Sequence, residues 1–372
     1  MLRLLLPVLL LTACSAPDPE PAAGADPVAT LPPAAAPAAP TWAASDLLVV
    51  GDVAWSRFTE DWARGRTGWP FRRLHEFGRY DGFVGNLECP VVDSDDDSAT
   101  QDRLLRFHCS SAFLDEAAHW FTAFSLANNH TGNHGAAGLA STRRELVGHG
   151  IQFFGDPRPE RLDRVCSPVL VPVRTDTGEP DAVLPVAMCG WNGVFSIPTA
   201  ASIAEVSRWA SHVPVLAFPH SGLEYVDHPD SIKIDLYRDL IDAGADAVLG
   251  SHPHWVQPTE AWHGRLIAYS LGNFIFDQQD DAERTRSAAF HLRIDLDRDV
   301  SGWLEVGQQC QADRDGCLAA IEASGLPAMK AHLEYSVVGT RNEHRLTHPA
   351  TDAETAAIEQ RLDWDHTLAR LR

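Results

Sequence analysis

The sequence predicts an α/β fold, a mainly parallel sheet with helices on its faces and a second, antiparallel sheet packed on it as a sandwich. Three observations predict it. Between residues 47 and 254, apolar runs alternate with helical patterns, the alternation that builds βαβ units. After His254, apolar runs succeed one another without helices between them. Five of the earlier runs end in Asp, Glu, Asn or His, and ligands of open α/β sheets bind at the carboxyl ends of the strands.

The five runs are Val49-Val50-Gly51-Asp52, Phe83-Val84-Gly85-Asn86-Leu87-Glu88, Phe124 to His130, Val215 to His220 and Ala247 to His254. Each reads as a buried strand, apolar on both faces. Helical patterns cover Ala136 to Gly150, Ala201 to Ala210 and Ser231 to Gly244, with Gly150 and Gly244 where helix ends favour glycine. Arg265 to Phe276, Ala288 to Leu296 and Gly302 to Val306 read as later strands, and Thr355 to Leu371 as a closing helix.

Residues 1–13 carry one charge, Arg3, then an apolar run too short to span a bilayer, the layout of a secretory signal. Leu11-Thr12-Ala13-Cys14 matches the lipobox of bacterial lipoproteins, which implies cleavage before Cys14 and its lipidation. The alternative is a soluble secreted protein. Residues 14–45 are mostly Ala, Pro, Gly and acidic residues, a semi-rigid tether of about 3.1 Å per residue where extended. Residues 46–372 are expected to form the globular domain. The expected place is the cell envelope, lipid-anchored; Ser15 after the cysteine points to the outer membrane in a Gram-negative cell. The net charge of −21 argues against nucleic acid as a partner.

Seven cysteines become six if Cys14 is lipidated, an even number suited to an oxidising compartment. Cys310 and Cys317 are close in sequence, and Cys89 and Cys109 bracket an acidic, irregular stretch. Cys166 and Cys189 would then be left for each other. Buried free thiols are the alternative, and sequence alone does not fix the pairing.

The chemistry lies at the strand ends. Asp52 and Glu88 follow apolar runs, and alternation puts Asn86 on the same side as Glu88. Asn128-Asn129-His130 places two amides and an imidazole beside a core, costly unless something binds them. His220 is followed by Glu224, a candidate partner to fix its tautomer. His252-Pro253-His254 is the most specific element. In extended geometry, which Pro253 favours for His252, the two imidazoles project to one side. Carboxylate, amide and imidazole without thiolate suit a hard or borderline divalent cation.

Gly51-Asp52-Val53, Asn86-Leu87-Glu88, Ala127 to His130, His220 to Tyr225, Gly250 to His254, Gln257-Pro258 and Tyr269 to Asp277 together resemble, in order and spacing, motifs of the bacterial CapA family. These are poly-γ-glutamate capsule biosynthesis proteins. The resemblance implies the calcineurin-like metallophosphoesterase fold, an αββα sandwich of two packed mixed sheets flanked by helices, with a two-metal site. It implies Asp52 and His254 on a first metal, Asn129, His220 and His252 on a second, Glu88 bridging, and His130 as the catalytic histidine. The ions expected are Mn, Zn or Fe, one or two of them. Ala54 departs from the usual Asp-x-His, Glu88 replaces a bridging Asp, Asn133-His134 replaces Asp-Tyr and Ser221 replaces Trp. His134 could add a ligand or be a surface loop residue, and the second reading is favoured.

The function expected is participation in making, exporting or attaching poly-γ-glutamate or another capsule polymer, with a metal-dependent hydrolase-type site. Partners expected are an anionic polymer or phosphoester substrate, the membrane through the lipid anchor, and capsule synthesis or export machinery. The alternatives are a non-catalytic polymer-binding lipoprotein with a degenerate metal site, or a surface phosphoesterase unrelated to capsule.

Overall fold

The computed structural model describes residues 38–371, so Cys14, the signal and most of the tether lie outside the described residues. Among the described residues, fifteen strands follow in chain order. They begin with β1 (Ala43–Val53), β2 (Gly82–Leu87), β3 (Phe121–Ser125), β4 (Gln152–Phe154) and β5 (Cys166–Pro172). Next come β6 (Arg174–Thr175), β7 (Val183–Asn192), β8 (Val215–His220), β9 (Ala247–Leu249) and β10 (Val256–Trp262). The last are β11 (Arg265–Leu271), β12 (Asn273–Ile275), β13 (Arg286–Leu296), β14 (His332–Glu343) and β15 (Leu346–Pro349). Ordered pairing starts at Ala43, three residues before the composition turns globular, because Ala43 and Ala44 are buried against β13.

Both sheets are mixed. One runs β15-β14-β13-β1-β2-β3-β4, with β6 and β12 also on β1; the other runs β10-β11-β9-β8-β7-β5. This corrects the expected division into an early parallel and a late antiparallel sheet. The early strands split between the sheets, mostly parallel within each, with β5 antiparallel to β7 and β6 antiparallel to β1, and the late strands extend both. Arg265 to Phe276 is not one strand. The chain turns at Gly272, φ 75°, so that β11 pairs with β9 while β12 pairs with β1. Gly302 to Val306 belongs to the helix Val300–Ala312, and the closing helix breaks at Asp363, φ 52°. The helices Gly135–Gly148, Ala200–Ala210 and Ser231–Asp242 stand where expected, with Gly150 (φ 75°) and Gly244 (φ 115°) just past two of them. The result is a sandwich of two mixed sheets flanked by helices, the architecture the resemblance implies.

β1 shows why its sequence lacks alternation. Leu47 and Val49 enter a core shared with Val186, Leu216 and Val248 of the other sheet. Leu48 and Val50 enter a second core with Phe83, Phe124, Leu139 and Leu146, the last two from the helix Gly135–Gly148. A strand buried on both faces must be apolar throughout, and each such side chain contributes about 1.5–3 kcal/mol. Gly51 cannot carry a side chain, since a Cβ there would stand 1.9 Å from the Gly272 carbonyl oxygen. That close approach brings Asp52 beside β12. Three disulfides, Cys89–Cys109, Cys166–Cys189 and Cys310–Cys317, are present.

Candidate metal centre

The polar strand ends converge from both sheets. Asp52 stands near the end of β1, Glu88 directly after β2, Asn129 beyond β3, His220 at the end of β8, and His252 and His254 in the loop after β9. His220 and Asn129 therefore come from different sheets, not from one sheet as the strand pattern predicts. Asp52, Glu88 and His220 are fully buried, His252 and His254 nearly so, and Asn129 half-buried.

Two sets of donor atoms form, each within 4.8 Å: Asp52, Glu88 and His254, and Glu88, His220 and His252. Glu88 belongs to both. His220 Nε2 lies 2.8 Å from Asn129 Oδ1 and 3.5 Å from Glu88 Oε1. Donors bound at about 2.1 Å to one ion stand roughly 3–3.5 Å apart, so these spacings fit a shared cation. On the other side, His254 Nδ1 lies 3.4 Å from Asp52 Oδ2 and its Nε2 lies 3.9 Å from Glu88 Oε1. The test of fit is Glu88 itself: both its carboxyl oxygens are buried without a hydrogen-bond partner, and so is His252 Nδ1. Buried polar atoms are otherwise almost always satisfied. A divalent cation shared by the two sets answers both Glu88 oxygens.

The surroundings hold the donors in place. Asn86 Nδ2 donates to Asp52 Oδ1 at 2.8 Å, and Asn86 Oδ1 accepts from Asn128 Nδ2 at 3.0 Å. Asn128, whose role the sequence does not assign, also donates to the Leu87 carbonyl at 2.8 Å and so ties the end of β2 to the loop after β3. His220 Nδ1 contacts Ser251 Oγ at 2.8 Å and Asn86 Nδ2 at 3.2 Å. Glu224 does not partner His220; it is exposed, and Ser251 and Asn86 occupy that role. His254 Nδ1 is held by Asn273 Oδ1 at 2.8 Å. A buried Asn inside the Tyr269 to Asp277 motif is the available signal for that residue.

His252-Pro253-His254 is not extended. His252 has φ 97° and His254 φ 60°, a bent loop that turns both rings inward, their centroids 6.1 Å apart. Left-handed backbone at two non-glycine residues costs of order 1–3 kcal/mol each and persists where function imposes it. His134 joins neither set; it is half-buried beside His108.

Burial and the neighbouring Asp52 push the Glu88 carboxyl well above its usual range. Burial also opposes ionisation of Asp52, yet hydrogen bonding and charge from His254 and His220 hold it low. Burial acts against a charge on His254, but Glu88 and Asp52 outweigh it and raise the imidazole to about 9. Two carboxyls sharing a dry site cannot both ionise without a positive partner. A cation supplies that partner and inverts the balance. Burial lowers His220 to about 3, leaving the neutral imidazole that metals bind.

His130 sits beside these groups, almost buried, stacked on Phe107 with centroids 3.8 Å apart. Burial lowers it to about 3 despite the hydrogen bond to Asn133, so the ring is neutral near pH 7.

The family described as bacterial capsule synthesis protein PGA_cap matches residues 46–177 and 190–278, which contain every candidate ligand. The chain belongs to this family. It is 28% identical over 269 residues to the PGA biosynthesis protein CapA of Bacillus subtilis (strain 168), covering 69% of each chain. It is 28% identical over 266 residues to the capsule biosynthesis protein CapA of Bacillus anthracis, covering 66% of this chain and 64% of that one. Among solved structures, TT1561 of Thermus thermophilus overlaps 78% of this chain and 98% of its own, at TM-score 0.37 and 9% identity, a likeness that carries no argument.

Proposed function

We propose that this PGA_cap protein acts in capsule or poly-γ-glutamate biosynthesis, export or attachment from the cell envelope, through a metal-dependent hydrolase-type site. The observation that carries the reading is Glu88, buried, unpartnered and shared by two donor sets. Asp52 and His254 would hold one ion, Asn129, His220 and His252 the other, with Mn, Zn or Fe suited to the oxygen and nitrogen donors. Bound there, the metal would supply Lewis acidity toward a phosphoryl or carboxyl group and activate water near neutral pH. The protein's own part is orientation. Asn86, Ser251 and Asn273 fix the donors, and His130, neutral, offers a proton acceptor to the substrate. The substrate is an anionic polymer or phosphoester, and a metal in the site offsets the repulsion of a chain carrying −21 charges.

The deciding experiment combines metal analysis of the purified protein with phosphodiesterase and γ-glutamyl hydrolase assays. Bound metal with turnover supports the hydrolase. A second reading, a polymer-binding protein, is favoured by Ala54, which leaves the first donor set without the histidine of Asp-x-His. Metal binding with no activity lost in His130→Ala selects it. Anchoring through Cys14 is supported by the lipobox and the tether. A Cys14→Ser protein that is still processed and membrane-retained would refute it.

A further inference from the structure

Three side chains outside the candidate donor sets surround His130. Its ring stacks on Phe107 at 3.8 Å between centroids, nearly parallel at 18°. The Arg57 guanidinium covers a face of the same phenyl ring at 3.9 Å. Phe107 therefore bridges a guanidinium and an imidazole in one layered stack. Arg57 is itself immobilised. It is buried, holds φ 52°, and donates to the buried Asp277 Oδ1 at 2.5 Å. Phe107 is held from its own chain as well. It lies two residues before Cys109, whose disulfide reaches Cys89, the residue after Glu88. The stack is thus tied covalently to the strand end that carries the shared carboxylate.

The third group sets the proton. Asn133 Oδ1 accepts from the Phe107 backbone N–H at 2.8 Å and lies 3.1 Å from His130 Nδ1. The backbone donor fixes which end of the amide is oxygen, so Nδ1 must carry the hydrogen. In the neutral ring Nε2 is then a lone-pair acceptor. A looser version occurs at His254, where Arg284 lies 3.9 Å over Tyr225 and the Tyr225 ring centroid is 5.9 Å from that of the imidazole. Two histidines of one site are each backed by an aromatic ring under a guanidinium.

We propose that Arg57, Phe107 and Asn133 are positioning residues for His130: the stack fixes the plane of its ring, and Asn133 fixes its tautomer, so that Nε2 is the nitrogen offered to substrate. The last step rests on the reading of His130 as the group that meets substrate; the ring geometry does not. At position 133 the side chain is an amide, not a carboxylate. An amide there orients the imidazole without supplying the negative charge that would favour its protonated form.

The test is a two-bond proton–nitrogen correlation spectrum of the full chain labelled with ¹⁵N-histidine, the His130 signals being those lost in His130→Ala. A single Nδ1–H form is expected in the native protein. Asn133→Ala should lose that single form and give a mixture of tautomers. Phe107→Leu and Arg57→Met should split or broaden the signals, with Arg57→Lys restoring part of the native pattern. A native Nε2–H form overturns the proposal, as do unchanged His130 signals in the variants. Should a Phe107 or Arg57 variant fail to fold, Asn133→Ala, at a half-buried loop position, still decides the tautomer, and ring relaxation in the native protein decides the stack: one rigid rotamer supports it and rotamer exchange refutes it. The readout needs no turnover, so it fails or succeeds apart from the hydrolase reading.

Discussion

Glu88→Met should make the metal-free protein more stable and the metal-loaded protein less so. Glu88 is fully buried, its two carboxyl oxygens have no partner, and Asp52 lies in the same site. A buried unsatisfied polar group costs about 1–3 kcal/mol, and an apolar side chain of similar shape removes that cost. Methionine is close in volume and flexible enough to fill the space. The metal-free variant should therefore gain about 1–3 kcal/mol, less any misfit in packing. Metal reverses the order. A ligand at a thousand times its Kd stabilises the native state by about 4.1 kcal/mol, more than the metal-free gain, and the variant, without the shared donor, loses most of that. Urea unfolding of both proteins in chelator and in excess Mn or Zn reads the two orders directly. If Glu88→Met is the less stable protein in chelator, or is stabilised by metal as much as the native chain, the account of Glu88 is wrong.

Gly51→Ala should cost about 1–3 kcal/mol or more in urea unfolding, because its Cβ would collide with the Gly272 carbonyl oxygen at 1.9 Å and force β1 from the β11–β12 junction. Metal affinity should fall with it, since Asp52 is the next residue, and an Ala variant of native stability would remove the argument. Burial lowers Lys233, whose Nζ donates to Gln257 Oε1 at 3.1 Å, to about 7. The unfolded chain, with a lysine pKa near 10.4, then binds more protons than the folded one between these values, so stability rises with pH in that window. Lys233→Met should flatten the rise, worth about 2 kcal/mol between pH 7 and 9, in pH-dependent urea unfolding of the chelated protein.

The donors are legible in the sequence because each is a polar residue closing an apolar run, a pattern that survives in one dimension. Their spatial arrangement is less so. Nothing in Arg265 to Phe276 marks Gly272 as the point where the chain leaves one sheet for the other, because that depends on a turn at φ 75° and on pairing with strands far away in sequence. Gly302 to Val306 is short and apolar, and periodicity cannot separate a buried strand from a buried helix face at that length. Pro253 argues for extended backbone at His252, but the burial of both rings imposes left-handed backbone at His252 and His254 instead. Arg57 and Phe107 lie fifty residues apart and meet only through the loop closed by Cys89–Cys109. Proximity in sequence points to Glu224, whereas Ser251, next to His252, is what reaches His220.

The central claim is that the strand ends of both sheets share a cation. Elemental analysis of the native chain beside the His252→Ala, His254→Ala double variant tests it most directly, with circular dichroism to show that the fold is retained. The native protein should carry one or two equivalents of Mn, Zn or Fe, and the double variant should lose all or most of it. Metal content unchanged in the double variant would contradict the account, as would a native protein that binds none of these ions.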